Sequence, residues 1–274
     1  MTINCKGNLV DLSSPKVMGI LNITPDSFYD GGKYKSESDI LNQTEKMLNE
    51  GATFIDVGAY SSRPGAKHIS VDEELKRIVP VVQLLVKNFP DILISTDTFR
   101  NQVAKACVDE GAAIINDISG GKMDSEMFTT IADLQVPYII MHMQGTPQNM
   151  QQNPTYEDVT KEVYHFFSQQ LFQLKQLKVN DVLIDLGFGF GKTVEHNYEL
   201  LNSLSFFKHL DAPILTGVSR KSMLYKVLDT SAKEALNATT VANTIALLKG
   251  TSILRVHDVK EAFEAVKIVS QLPN

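Results

Sequence analysis

Asp97, Asn116 and Asp185 each close an apolar run, in the strings LISTDTF, AIINDIS and VLIDLGF. A carboxylate in such surroundings is costly unless hydrogen-bond donors satisfy it. A ligand with an amino-pyrimidine edge offers adjacent N–H donors that match a carboxylate bidentately, and charge-assisted pairs of that kind are strong and directional. The bland alternative is that these acids serve barrel lysines or backbone groups for structure alone. The opposite charge comes from Lys221, Arg255 and His257, with Arg63 earlier in the chain. An arginine fork suits phosphate, and its flat face also stacks on an aromatic ligand. Arg220, beside Lys221, is expected to turn away into a structural ion pair. His257 has the alternative of capping the helix that starts near Asp258.

Other motifs narrow the chemistry. The segment Asp185–Thr193, DLGFGFGKT, ends like a phosphate-binding P-loop, but Leu186 stands where that motif needs glycine. Its glycines suit close passage of backbone past a ligand, with Phe188 or Phe190 giving a ring face. Lys192 reads as solvated or structural. Met141 and Met143 suit packing against a flat aromatic group, or else belong to the core. His142 has no metal-spaced partner, so no zinc role is assigned. There is no GxSxG elbow and no Ser-His-Asp arrangement. The combination is an acidic floor for a donor-rich heterocycle and a cationic wall for phosphates. It suits departure of a phosphate group from a heterocyclic substrate and its replacement by a second reactant.

These residues lie far apart in sequence, so the fold must gather them. Eight apolar runs end in polar residues: Val17–Ile23, Phe54–Gly58, Ile92–Thr98, Ala113–Ile118, Tyr138–Met143, Val182–Gly187, Ile214–Ser219 and Ser252–Val256. Helical segments follow them, near 36–50, 70–88, 100–110, 124–134, 156–177, 195–206, 232–249 and 258–270. Ser70 and Thr98 read as helix-start signals. Alternating strands and helices predict a parallel (β/α)8 TIM barrel, whose strand ends converge on one catalytic mouth. Residues 3–12, around Gly7-Asn8, are expected to form a short N-terminal hairpin that plugs the barrel bottom. Two long connections, Thr24–Ser38 and Ala59–Ser70, lie at the mouth and read as lids rather than mobile insertions.

The 274 residues fit one such domain spanning 1–274. The net charge of −6 argues against nonspecific nucleic-acid binding, and no apolar run approaches a membrane span. The N-terminus lacks a signal-peptide pattern. Only Cys5 and Cys107 are present; Cys107 shares an apolar helical face with Ala104 and Val108 and reads as packing. A disulfide framework is not expected, and a reducing cytoplasm is the default setting.

The strings ILNITPDSFYDGG, DVGAYSSRPGA, STDT, INDISGG, MHMQGTPQNM, DLGFGFGK, GVSRKS and RVHDV, in this order and spacing, resemble the dihydropteroate synthase family from Val17 to Val259. The resemblance implies a folate-pathway transferase on a TIM barrel. Such an enzyme condenses 6-hydroxymethyl-7,8-dihydropterin diphosphate with 4-aminobenzoate, releasing diphosphate and 7,8-dihydropteroate. By motif, Asp97, Asn116, Met141, Asp185, Gly217, Lys221 and Arg255 would bind the pterin, with Lys221, Arg255, Asp97 and Asp185 catalytic. Asn22, Ser62, Arg63, Arg255 and His257 would contact the diphosphate, with Asn22 also holding a Mg2+ cofactor. Phe28, Pro64, Phe190 and Ser222 would frame the aminobenzoate. The resemblance further implies an SN1-like reaction, a homodimer through the outer helices and small-molecule substrates only. Two departures are visible: Ser62 where the family commonly has threonine, and Leu186 where it usually has proline. The rival readings are a pterin-binding methyltransferase, a Schiff-base aldolase using Lys221 and a barrel that binds without turnover.

Overall fold

The computed structural model describes residues 1–23, 36–61 and 68–273. Two short strands, β1 (Thr2–Cys5) and β2 (Asn8–Asp11), pair antiparallel through a two-residue turn. Lys6 and Gly7 both take positive φ, 55° and 84°, which a type I′ turn demands. Eight further strands follow: β3 (Lys16–Asn22), β4 (Phe54–Gly58), β5 (Ile94–Asp97), β6 (Ile114–Asp117), β7 (Tyr138–Met141), β8 (Val182–Asp185), β9 (Ile214–Thr216) and β10 (Ile253–Val256). They pair in parallel and close into a barrel, β10 lying between β9 and β3. The TIM barrel expected from the alternation is present.

Period-2 alternation along the strands splits the interior from the shell. Met18, Phe54, Ile114, Ile139, Leu183, Leu215 and Ile253 form the lower inner layer, and Ile3, Cys5 and Leu12 of the hairpin segment pack onto it. The hairpin is therefore the predicted bottom plug. The outward residues of the strands join the helices in the main core, where Cys107 is fully buried. The helices are α1 (Glu37–Asn49), α2 (Val71–Asn88), α3 (Asn101–Asp109), α4 (Met127–Leu134), α5 (Val159–Gln176), α6 (Val194–Asn202), α7 (Ser222–Tyr225), α8 (Leu236–Leu248) and α9 (Val259–Val269). No helix among the described residues is long and apolar enough to cross a membrane.

Helix starts refine the sequence reading. Ser70 accepts the Glu73 N–H at 3.2 Å and caps α2. Thr98 does not cap α3: it accepts the Arg100 N–H at 3.2 Å and donates to buried Glu74 at 2.7 Å, which leaves Arg100 at the cap position. The fifth helix begins at Val159 rather than near 156, because Asp158 supplies the cap to the Lys161 N–H. The segment expected as one helix over 195–206 ends at Asn202 and is followed by a 3-10 stretch, Leu204–Leu210. That expected over 232–249 splits into a 3-10 turn, Ala232–Glu234, and α8.

Backbone register sets the level of the mouth. Asn22 lies opposite Gly58, Gly58 opposite Asp97, and Asp97 opposite Asn116. On the other side of the barrel Met141 lies opposite Asp185. Residues from six strands are thus carried to one rim by pairing alone.

Candidate active site

The rim is organised around Arg255. Its side chain crosses from β10 to β4 and β5, where Nε donates to Asp56 Oδ2 at 2.6 Å and Nη2 to Asp97 Oδ2 at 2.9 Å. Asn116 donates from Nδ2 to the same Asp56 oxygen at 3.2 Å. Asp56, Asp97, Asn116 and Arg255 therefore form one connected network. Asp117, the next residue on β6, points the other way, into the shell. It accepts from Tyr138 Oη at 2.6 Å and from Ser119 and Gly121, so its role is structural.

Asp185 and Lys221 form the second half. Asp185 Oδ1 accepts the Gly187 N–H at 2.8 Å, and a β-carbon built on Gly217 would lie 3.8 Å from its Oδ2. Gly217 is thus the bare floor between Asp185 and Arg255, whose Cβ is 3.9 Å from the same point. Lys221 donates to the Phe188 carbonyl, and its ammonium sits 4.6 Å from the centroid of the Phe190 ring. Of the two candidate ring faces it is Phe190 that looks into the mouth, while Phe188 is fully buried in the shell. Met141 and Met143 are not in the main core. They join Tyr60, Phe99, Ile118 and Met150 in a separate cluster above the barrel, with Phe190 packed against it.

Burial dominates the electrostatics. It raises the Asp97 carboxyl to about 7, against the opposing pull of Arg255. Asp185 is raised by the same cause, opposed by Lys221 and the Gly187 N–H. Lys221 is pushed down to about 8 by burial, with Asp185 acting against the shift. For Arg255 burial works against the charge, but Asp56 and Asp97 outweigh it and hold the guanidinium firmly protonated. The site is a desolvated set of two cations and three carboxylates, in which Arg255 is ion-paired with Asp56 and Asp97.

Asn22 ends β3, its Oδ1 3.6 Å from the β-carbon position of Gly58, close beside Asp97. His257 follows β10, with Nδ1 3.0 Å from Ser219 Oγ. It does not cap the helix after it; Asp258 takes the cap position of α9. Ser222 opens α7, one residue past Lys221. Arg220 turns away as expected, pairing with both oxygens of Asp258 at 2.8 Å. Lys192 is buried and structural, bonded to carbonyls of two loops. Leu186 is wholly buried in the shell. Phe28, Ser62, Arg63 and Pro64 lie outside the described residues, as do residues 24–35 and 62–67 of the two expected lids.

Asp56 stands out in the sequence as the polar residue of the run Phe54–Gly58, but its place in the site does not. It lies inside an apolar strand, FIDVG, and its two partners on this network are 60 and 199 residues away in the chain. The only signal was a carboxylate at an inward-facing strand position, two residues before Gly58.

Residues 18–257 match the family described as pterin binding enzyme, and the chain belongs to that family. Within it the chain is a member of the dihydropteroate synthases, which are transferases. It is 44% identical over 271 residues to the dihydropteroate synthase of Escherichia coli strain K12, covering 98% of this chain and 95% of that protein. It superposes with a TM-score of 0.95 on the Yersinia pestis dihydropteroate synthase in a sulfonamide drug complex, at 42% identity and 98% coverage of both chains. A third relative is the Xanthomonas albilineans dihydropteroate synthase in complex with 7,8-dihydropteroate, with a TM-score of 0.85, 30% identity and 99% coverage of both chains.

Proposed function

We propose that this site joins 6-hydroxymethyl-7,8-dihydropterin diphosphate to 4-aminobenzoate, giving 7,8-dihydropteroate and diphosphate by an SN1-like displacement. The observation that carries this reading is the Arg255 network: an arginine fixed by two carboxylates beside Asn116, Asp185 and Lys221 on one rim. Such a rim meets a flat, donor-rich ring with acids and its leaving group with cations. A relative from Xanthomonas albilineans holds 7,8-dihydropteroate, a pterin already joined to an aminobenzoyl group.

In the proposed reaction the pterin edge donates to Asp97 and Asp185, and Asn116 completes the edge. Met141 and Gly217 line the ring, and Lys221 hydrogen-bonds the bicycle. The exocyclic C–O bond breaks, its electron pair leaving with the diphosphate. Arg255 and His257, with Ser62 and Arg63, stabilise the charge that develops there, an interaction stronger in the transition state than in the ground state. The carboxylates favour the methylene cation. The neutral aryl amine then attacks it, forming the C–N bond and releasing a proton to solvent, so no strong general base is required. Phe28, Pro64, Phe190 and Ser222 frame the amine's ring.

A Mg2+ ion fits the donor set. Among the described residues no group of three or more His, Cys, Asp or Glu side chains forms a cage. Asn22 offers one hard oxygen at the rim, and Mg2+ is commonly held by few protein ligands together with substrate phosphates and water. Bound there, it would neutralise charge on the diphosphate.

We further read the outer face of α8 and α9 as the contact with a second copy of the chain. Val241, Ile245 and Leu248 are exposed at helical spacing on α8, and Ile268 is exposed on the adjoining α9. A contiguous apolar stripe of this kind marks an interaction surface. Sedimentation would read a dimer, and a monomer at all concentrations would reject this contact. The reaction is assigned to the cytoplasm and to small-molecule substrates.

The decisive experiment supplies Mg2+, the pterin diphosphate and labelled 4-aminobenzoate and looks for labelled dihydropteroate. A purified, folded protein that makes none would end this reading.

A further inference from the structure

Lys192 presents a lysine where a lysine is costly. Its side chain is 4% exposed, and no carboxylate among the described residues lies within ion-pair distance of it. Its ammonium instead meets four acceptors. They are His142 Nδ1 at 3.0 Å, the His142 carbonyl at 3.2 Å, the Gly187 carbonyl at 3.0 Å and the Phe190 carbonyl at 3.1 Å. Burying an ammonium among neutral groups is unfavourable unless every donor is used, and here every donor is used.

The acceptors belong to two loops. His142 follows β7; Gly187 and Phe190 follow β8. Gly187 and Phe190 are the two ends of one turn, since Phe190 N–H also donates to the Gly187 carbonyl at 3.0 Å. The ammonium therefore grips both ends of the turn and fastens it to the neighbouring strand end. The ring of His142 must offer a lone pair at Nδ1 to receive the ammonium. Burial, with Lys192 next, holds this imidazole down to about 2, so it stays neutral.

The turn carries two groups that face the mouth. The Phe188 carbonyl, in its middle, receives the Lys221 ammonium, and the Phe190 ring lies under the same ammonium. At the pterin edge, Asp97 and Asn116 hang on other strands and do not touch the turn, while Asp185 is carried by β8 and meets the turn through the Gly187 N–H at 2.8 Å.

We propose that Lys192, with His142, is a positioning residue for the second substrate: it sets the Gly187–Phe190 turn, and through it the Phe190 ring. This rests on the proposed function, because it takes Phe190 to face 4-aminobenzoate. Lys192 touches neither substrate and acts only through the turn.

The test is steady-state kinetics of wild type and Lys192→Met with each substrate varied in turn. The expected result is a KM for 4-aminobenzoate raised by about tenfold or more, with a rise of less than about threefold in the KM for pterin diphosphate, since Phe190 rides on the turn itself whereas Asp185 and Lys221 are carried by β8 and the start of α7 and meet the turn through one hydrogen bond each. Unchanged constants in a folded variant would overturn the proposal. So would equal rises in both KM values, the mark of general loosening. If Lys192→Met does not fold, His142→Leu is measured by the same criteria, with a selective rise of about threefold expected because only one of four acceptors is lost. Wild-type protein that makes no dihydropteroate would instead sink the functional reading itself, so the two failures are distinguishable.

Discussion

Arg255 donates from Nε to Oδ2 of Asp56 at 2.6 Å, tying the last strand of the barrel to the second. Asp56 is fully buried, and its other oxygen has no hydrogen-bond partner among the described residues. Removing the carboxylate would leave Arg255 on Asp97 alone and take the acceptor from Asn116. Loss of one partner from a buried pair costs about 3–5 kcal/mol. Asp56→Ala should therefore lower unfolding free energy by roughly that amount in chemical denaturation and abolish turnover. A loss near zero would show that Arg255 is held by something else.

For Asp97 and Asp185 the expected effect lies in binding rather than in folding. Each would accept hydrogen bonds from the pterin edge, and an unpaired polar edge costs about 1–3 kcal/mol per group. Asp97→Ala and Asp185→Ala should each weaken pterin binding by roughly tenfold or more when measured by calorimetry. Near-normal affinity in both variants would remove these acids from the binding role.

The pH dependence follows from Lys221 and Asp97. Lys221 must be protonated to donate, and burial puts it at about 8, so kcat/KM for the pterin substrate should fall as pH rises through that value. Asp97 must be ionised to accept, and burial puts it at about 7, so kcat/KM should rise as pH climbs through that value. A narrow bell is expected. Lys221→Met should be weak throughout and lack the alkaline limb. Stability moves oppositely for the lysine. Its folded pKa lies below the ordinary 10.5, so the folded state binds fewer protons between about 8 and 10.5 and wild type gains stability across that window. The stability advantage of Lys221→Met over wild type should shrink from pH 7 to pH 10 in matched denaturant titrations.

Much of this arrangement is legible in the chain. Asp97, Asn116, Asp185, Lys221 and Arg255 end apolar runs, and a closed parallel barrel turns that one-dimensional fact into a shared rim. That Arg220 turns away into an ion pair was legible too, though its partner Asp258 was not. The role of Asp56 was not, because it sits inside an apolar strand and its partner Arg255 is distant in sequence. The role of Lys192 stayed open for a similar reason: its acceptors are backbone carbonyls, which carry no side-chain signal. The helix α7 and the 3-10 stretches were missed because a few residues are too short to display a helical period.

Metal removal offers a test that separates catalysis from folding. Asn22 is the single protein ligand assigned to Mg2+, which would arrive with the diphosphate. A chelator should abolish turnover, and added Mg2+ should restore it, while the melting curve of the free protein stays unchanged. Turnover that survives exhaustive chelation would dismiss the metal.

Two glycines at the mouth should respond to one added methyl in opposite ways. A β-carbon on Gly187 would fall 1.9 Å from the His142 carbonyl oxygen, and its φ is +68°. The left-handed conformation alone costs about 1–2 kcal/mol for an L-residue. The clash is with backbone and cannot be relieved by a rotamer change, so Gly187→Ala should force the two loops apart and destabilise the fold by several kcal/mol in total. At Gly217 the nearest atoms to an added β-carbon are 3.8 Å and 3.9 Å away, which is ordinary contact. Gly217→Ala should therefore melt like wild type. The methyl would nevertheless stand in the slot between Asp185 and Arg255, where the pterin ring is expected to lie, and pterin binding should weaken by about tenfold or more, as for overpacking of a fitted site. A Gly217→Ala protein that binds pterin normally would mean that the ring lies elsewhere on the rim, even if Asp97 and Asp185 proved essential.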